Sequence, residues 1–251
     1  MRELHTVPDL DEAAENDGLL LWAAQGLAPG VRAWAQQDAV AVASPGLSGR
    51  DRLAVRGPAG PAARLVRHAL AEFGPSLRPV GDSALIDDLV TAVPGLRRAS
   101  PFRWMELRAA GPADPDASGV PPLARLLSTT ELPEAAALLD EVFPGSYAHP
   151  LLPGSRSWAG VRDETGRLTA LAADAWSAPE VGFLAGVAAH PVHGRGRGHA
   201  AAACRLLLDT MLRRCGRAAL MVDEDNPAAI RLYERLGMHR RDLHAAFLDP
   251  A

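Results

Sequence analysis

The sequence predicts a mixed α/β fold in two lobes, and three observations carry that prediction. The second half reads β, α, three strands, α, β, α, β, an order that mixes hairpins with crossovers. A glycine-rich turn, "HPVHGRGRGHAAAA" at 190–203, joins a buried-strand run to a long helix. Residues 109–122, "AAGPADPDASGVPP", are rich in Pro, Gly and Asp and lack hydrophobic periodicity, which marks a linker. The expected organisation is therefore a first lobe over 1–110, a linker over 111–122 and a second domain over 123–251.

Each element has a local reason. In the second half, "LARLLS" (123–128) reads as a strand and "TELPEAAALLDEVF" (130–143) as a helix capped by Thr130. Apolar runs flank a Thr-Gly turn in 157–176, the signal of a hairpin. "VGFLAGVAA" (181–189) and "AALMVD" (218–223) are buried-strand runs. "HAAAACRLLLDTMLRRCG" forms a helix of about five turns. In "NPAAIRLYERLGM" (226–238), Asn226 caps a short helix, Pro227 suits its first position and Gly237 stops it. "RRDLHAAFL" closes the half in extended form. The first half repeats the core of this order less distinctly. "LLLWAA" (19–24), "AVAVAS" (39–44), "DRLAVR" (51–56) and "RWMELRAA" (103–110) read as strands, and 61–73 and 84–93 as helices. A structural duplication would produce this correspondence, and so would simple αβ alternation.

Composition narrows the function classes. The chain has 251 residues, 48% of them hydrophobic, which is enough for a substantial core. A net charge of −4 gives no general attraction to nucleic acid. Every basic residue is arginine, so no lysine serves as base or nucleophile; with abundant Ala, Gly and Pro this matches a GC-rich bacterial genome. The two cysteines, Cys204 and Cys215, fall in one predicted helix, too far apart to pair there, and fit a reducing compartment. No signal peptide, membrane span or metal-ligand spacing is visible, so a cytoplasmic protein without a metal is expected.

The glycine-rich turn admits three readings. A Gly/Arg tract for RNA would repeat and sit in a basic chain; this one occurs once in an acidic protein. A dinucleotide fingerprint needs G-x-G-x-x-G after a first strand, whereas here His199 stands where the third glycine belongs. A strand, a glycine-rich turn and a helix start is how backbone N–H groups are aimed at an anion, with the helix N-terminus adding about half a positive charge. An ordinary turn without a ligand is the alternative.

The turn and the helix "N226-P-A-A229-I-R-L-Y233-E-R-L-G237-M" together resemble the GCN5-related N-acetyltransferase (GNAT) superfamily. The flavour "GVAAHP…GRG" is most similar to its FR47-type branch, which includes two-lobed glycine N-acyltransferase-like proteins. The resemblance covers about 120–251 and implies acetyl-CoA as acyl donor. It implies that Arg195, Gly196, Arg197, Gly198, His199 and Ala200 form the pyrophosphate loop. It likewise implies that Val187 and Ala189 pair with the pantetheine arm, that Asn226 contacts that arm, and that Tyr233 lies near the CoA sulfur. Two departures stand out: Gly194 looks inserted at the loop entrance, and Met238 replaces an aromatic residue. The corresponding turn of the first half, "RGPAGPA" (56–62), lacks N–H groups at Pro58 and Pro61, so a degenerate lobe is expected there.

Acyl transfer from a thioester to an amine requires a neutral amine, a stabilised carbonyl oxygen and a leaving thiolate. Tyr233 is the expected acid or hydrogen-bond donor at sulfur, and Glu180 the expected base, with Asp174 as its alternative. Asp223, Glu224 and Asp225 either attract a cationic amine or form a charged loop; His149 and His190 read as structural. Cys204 reads as core, so no covalent enzyme intermediate is expected. The function expected is transfer of an acetyl group from acetyl-CoA to a small amine or amino acid, without nucleic-acid or membrane partners; a homodimer is one option for assembly. The rival is a catalytically silent acyl-CoA-binding or sensing protein.

Overall fold

The computed structural model describes residues 1–109 and 123–249. The linker expected at 111–122 lies outside the described residues. In the first half, β1 (Arg2–Leu4), α1 (Val7–Ala13) and α2 (Gly18–Ala24) precede β2 (Arg32–Gln36), β3 (Ala39–Ser44) and β4 (Arg52–Arg56). Then come α3 (Ala59–Phe73), β5 (Arg78–Asp82), α4 (Ser83–Ala92), β6 (Leu96–Arg98) and β7 (Phe102–Arg108). The second half runs β8 (Ala124–Leu126), α5 (Leu132–Val142), β9 (Ser155–Arg162), β10 (Leu168–Ala175) and β11 (Gly182–Ala189). It ends with α6 (His199–Cys215), β12 (Arg217–Asp223), α7 (Pro227–Arg235) and β13 (His239–Leu248). This is the mixed α/β fold that the alternation predicted.

One mixed sheet runs β1-β2-β3-β4-β5-β13-β7-β12-β11-β10-β9-β8, with β6 also paired to β13. The halves exchange their closing strands. From the first half, β7 pairs with β12 along seven positions, Arg217↔Arg108 to Asp223↔Phe102. From the second half, β13 pairs with β5 at Leu243↔Asp82 to Ala245↔Val80 and also with β7. The strand expected over 103–110 exists, but it closes the sheet of the other half.

Alternation sorts the side chains onto two faces. Ala170 and Ala172 of β10 pack with Cys204, Leu207 and Leu208 of α6. Leu171, Ala173 and Ala175 pack with Ala135, Leu138 and Leu139 of α5 on the opposite face. In the first half α3 and α4 cover one face, while α2 covers the other and reaches Phe183, Ala219, Trp104 and Leu243 across the junction.

Two local expectations are corrected. Residues 19–24 form helix α2, not a strand. A short apolar run does not distinguish a buried strand from a buried helix. Asp17 decides the matter, because its Oδ1 accepts from Leu19 N at 2.8 Å and Leu20 N at 3.3 Å, and Leu and Ala favour a helix once it is capped. Burial of Leu19, Leu20 and Leu21 then stabilises the packed helix by about 1.5–3 kcal/mol each. The second concerns α5, which is led in by a short 3-10 turn capped by Ser128 rather than Thr130. Ser128 N donates to Glu131 Oε2 at 3.0 Å, completing a capping box.

Candidate active site

Strands β11 and β12 run parallel but pair only at Gly182↔Ala218 and Phe183↔Ala219. Beyond Phe183 they diverge, which leaves one edge of β11 without a strand partner. The pairing with β10 shifts register between Leu171 and Ala173, where three steps of β11 oppose two of β10. Gly186 occupies this bulge with φ +57°, and a Cβ there would strike the Trp158 ring. The bulge changes which residues face α6: Leu184 before it, Val187 and Ala189 after it. His190 N donates to Thr169 O at 2.8 Å. By antiparallel alternation, Val187 and Ala189 direct their N–H and C=O groups away from β10, into the opening.

The turn at 190–198 leaves the end of that strand. His190 O accepts from Gly194 N at 2.9 Å and from Arg195 N at 3.0 Å, and Arg197 N donates to Gly194 O at 3.3 Å. Arg195 and Arg197 thus spend their main-chain N–H groups inside the turn, and they contribute exposed side chains instead. Gly196 and Gly198 have φ +76° and +78° with open space where a Cβ would be. The first N–H groups of α6, on His199 and Ala200, have no intrahelical acceptor. Gly194, the apparent insertion, is buried, and a Cβ there would strike Thr169 O, so only glycine fits. The His199 ring holds the helix start to β10: Nδ1 lies 2.7 Å from Thr169 Oγ1, which donates its proton to Val161 O at 3.1 Å. Nδ1 is therefore the donor to Thr169.

Across the opening stands α7. Asn226 caps it, with Oδ1 accepting from Ala229 N at 3.1 Å, which leaves the Nδ2 donors for another partner. The strong amphipathy of α7 turns Ile230 and Tyr233 inward against α6. Tyr233 is 6% exposed, and burial, with the neighbouring Cys204, pushes its phenol well above the ordinary range. Cys204 is fully buried and its thiol is pushed up to about 12, which keeps it protonated. A thiol in that state is a poor nucleophile.

Residues 133–238 match the model of the acetyltransferase (GNAT) family. The second half is thus similar to the GNAT family over 106 of the chain's 251 residues. Similar solved structures include a GCN5-related N-acetyltransferase from Kribbella flavida, at 21% identity and TM-score 0.60, covering 93% of this chain and 97% of that one. A GNAT-family protein from Novosphingobium aromaticivorans is 23% identical with TM-score 0.59, covering 93% and 98%. An acetyltransferase from the GNAT family of Colwellia psychrerythraea is 12% identical with TM-score 0.52, covering 98% of both chains. These likenesses extend the shared fold over both halves. No curated protein matches. GNAT enzymes use acetyl-CoA as acyl donor.

The second half brings together Val187, Ala189, Gly196, Gly198, His199, Ala200, Asn226 and Tyr233 around the divergence of β11 and β12. It does not bring Glu180 there. Glu180 lines a recess of about 660 Å³ with Asp11, Asn16, Arg214, Cys215 and Arg217, beneath the C-terminal end of α6. Cys215 is eleven residues along α6 from Cys204, the neighbour of Tyr233, which is about 16 Å of helix rise. A direct general base needs hydrogen-bond reach, or one water, and Glu180 has neither. Asp174 is committed elsewhere: it is buried, ion-paired to Arg214 Nη1 at 2.7 Å, and accepts from Ser177 Oγ. Glu224 pairs with Arg103, and His149 and His190 lie beside Asp140 and Glu141. The bulge glycine Gly186 escaped the sequence reading, although a glycine inside an apolar strand run is its signal. Among the described residues no helix is long and apolar enough to cross a membrane, and no His/Cys/Asp/Glu group is arranged to hold a metal.

Proposed function

We propose that this chain is an N-acetyltransferase that moves an acetyl group directly from acetyl-CoA to the amine of a small molecule or amino acid. The observation that carries the reading is the edge of β11 left without a strand partner beyond Phe183, which leads into a turn with uncommitted N–H groups at Gly196, Gly198 and the start of α6. An extended pantetheine arm can pair with that edge through Val187 and Ala189. The N–H groups of Gly196, Gly198, His199 and Ala200 then meet the diphosphate, with Arg195 and Arg197 closing over its outer oxygens. Asn226 offers Nδ2 to the arm.

In the reaction, the amine nitrogen bonds to the carbonyl carbon, the C–S bond breaks, and the amine proton leaves to solvent. A main-chain N–H on the β11 edge stabilises the carbonyl oxygen as charge develops. Tyr233 donates a hydrogen bond to the departing sulfur. Full proton transfer from a phenol near 10 to a thiolate near 8.5 is uphill by about 2 kcal/mol, and burial of Tyr233 widens that gap. Hydrogen bonding, rather than protonation, is thus its role. The buried, protonated Cys204 agrees with direct transfer.

The two-lobed build, with its exchanged strands, supports the FR47-type, glycine N-acyltransferase-like assignment. It also supports a first lobe over 1–110 that lacks a donor site. Only Gly57 and Pro58 separate β4 from α3, against 190–198 in the second lobe. A cytoplasmic location fits the reduced cysteines.

A second reading, a silent acyl-CoA-binding or sensing protein, is favoured by the distance of Glu180 and Asp174 from Tyr233. A thiol-release assay with acetyl-CoA against a panel of amines and amino acids separates the two. The transferase releases CoA thiol when the right amine is added. Tight acetyl-CoA binding with silence across the panel identifies the sensor.

A further inference from the structure

Arg52 opens β4 beneath the turn at 47–49. Its Nε donates to Ser48 Oγ at 2.9 Å and Leu47 O at 3.1 Å, and its guanidinium lies 5.6 Å from the Trp22 ring centroid. Neither Nη has a protein acceptor among the described residues. Among the described residues, twelve other arginines form ion pairs with carboxylates, and Arg52 and its neighbours Arg50 and Arg78 do not. Arg78 stands beside it in parallel register. Arg50 donates through Nε at 3.0 Å, and through Nη2, to the Tyr147 hydroxyl. The nearest acid in sequence, Asp51, is occupied by Gly46 N at 2.8 Å and by Ser76. Burial and the like charges of Arg50 and Arg78 push the Arg52 guanidinium down to about 10. A half-buried cation beside like charges gains from an anion that joins it.

The position suits an acceptor. Strand β4 runs antiparallel to β11, because three antiparallel steps separate them in the sheet. The start of β4 therefore shares an edge with the end of β11, where the donor turn lies. Trp22 stacks on Phe183 at 4.4 Å between centroids. Phe183 is the last residue of β11 paired to β12, so Arg52 is two ring contacts from the apex of the divergence. It lies on the face of the sheet opposite α6, and Tyr147 adjoins Ala148, which packs beside the Gly186 bulge.

We infer that Arg52, flanked by Arg50 and Tyr147, binds the carboxylate of the acceptor, so that the acceptors are amines bearing a carboxylate group, amino acids foremost. The two free Nη groups offer a planar fork for both oxygens. This specificity rests on the transferase reading above, yet its test does not depend on turnover.

The probes are N-acetyl-alanine, N-acetyl-glutamate and N-acetyl-phenylalanine with their C-terminal amides, titrated while following tryptophan fluorescence. The wild-type protein should bind at least one acid about 30-fold or more tighter than its amide. Arg52→Gln should erase that preference and Arg52→Lys should retain part of it. Arg50→Gln, farther from the core, should reduce the preference several-fold with an unchanged Tm, which guards against a misfolded Arg52 variant. Acetyl-CoA affinity by calorimetry should not move. The inference is overturned if every acid and amide bind alike, or if Arg50→Gln and Arg52→Lys both leave the preference intact. It is also overturned if acetyl-CoA binding falls with the Arg52 variants, which would make the donor's phosphates the anion. Acid-selective binding without thiol release from any amine would sink the transferase reading and leave this site standing. Equal turnover of amino acids and their amides would do the reverse.

Discussion

Gly194 looked like an insertion that disturbs a motif, and its surroundings explain it. The residue is buried against Thr169 O, and its N–H closes the first loop of the turn on His190 O. Gly194→Ala should lower stability by about 1–3 kcal/mol and weaken acetyl-CoA binding, because backbone cannot yield as a side chain does. Thermal melts and calorimetry check both; an unchanged affinity would detach this turn from donor binding. Tyr233 allows a sharper test. Removing its hydrogen bond to a charged sulfur should slow the chemical step roughly 10- to 100-fold in Tyr233→Phe. Because burial raises the phenol above its ordinary value, it stays protonated up to at least about pH 10. The kcat–pH profiles of wild type and Tyr233→Phe should therefore share one shape below that pH, and a limb present only in the wild type would contradict the assignment. The shape of the turn and of α7 was legible in the sequence because Gly and the Asn-Pro start fix local backbone geometry. The placement of Glu180 was not legible, because a strand run does not tell which of its ends lies beside Tyr233. Arg52 was invisible for a related reason: its neighbours Trp22 and Tyr147 are distant in sequence.

Helix ends divide the elements into those the sequence announces and those it conceals. The Asn-Pro start and Gly237 stop of α7 lie where the pattern put them, with Asn226 as cap. Asn226→Ala should cost about 1 kcal/mol in stability through the lost cap and should raise the KM for acetyl-CoA through the lost Nδ2. A change in Tm without a change in KM would leave Asn226 as a cap alone. By contrast, α2 hid inside an apolar run, since periodicity fails where all sides are buried. The lead-in to α5 carries the charge cluster of the second half. Glu131 accepts from Arg125 and, at 2.8 Å, from Arg162, and Ser128 N joins them. The Arg125 guanidinium, foremost, holds the Glu131 carboxyl well below its usual range. A depressed carboxyl stabilises the fold above its unfolded value, near 4.3, and that contribution fades as pH falls below it. The Tm difference between wild type and Glu131→Gln should accordingly be largest at pH 7 and shrink toward pH 3.

At the scale of the molecule, the mixed α/β class followed from alternation. The exchange of β7 and β13 did not, because strand pairing across two halves leaves no periodic trace in either. That exchange predicts how the halves behave apart. A polypeptide of 123–251 lacks β7, which pairs with β12 and β13, and one of 1–110 lacks β13, which pairs with β5, β6 and β7. Expressed singly, each should be insoluble or unfolded; expressed together, they should assemble and recover acetyl-CoA binding. Autonomous folding of 123–251 with full donor affinity would refute this. Protein synthesis proceeds from the first half toward the second, and β13, which covers the far edge of β5, is the last strand to be made. During translation the nascent first lobe must therefore wait with a bare, pairing-competent strand edge, the kind of surface on which chains stick to one another. Slower elongation through the second lobe should lower the soluble yield of a protein whose finished form hides that hazard completely.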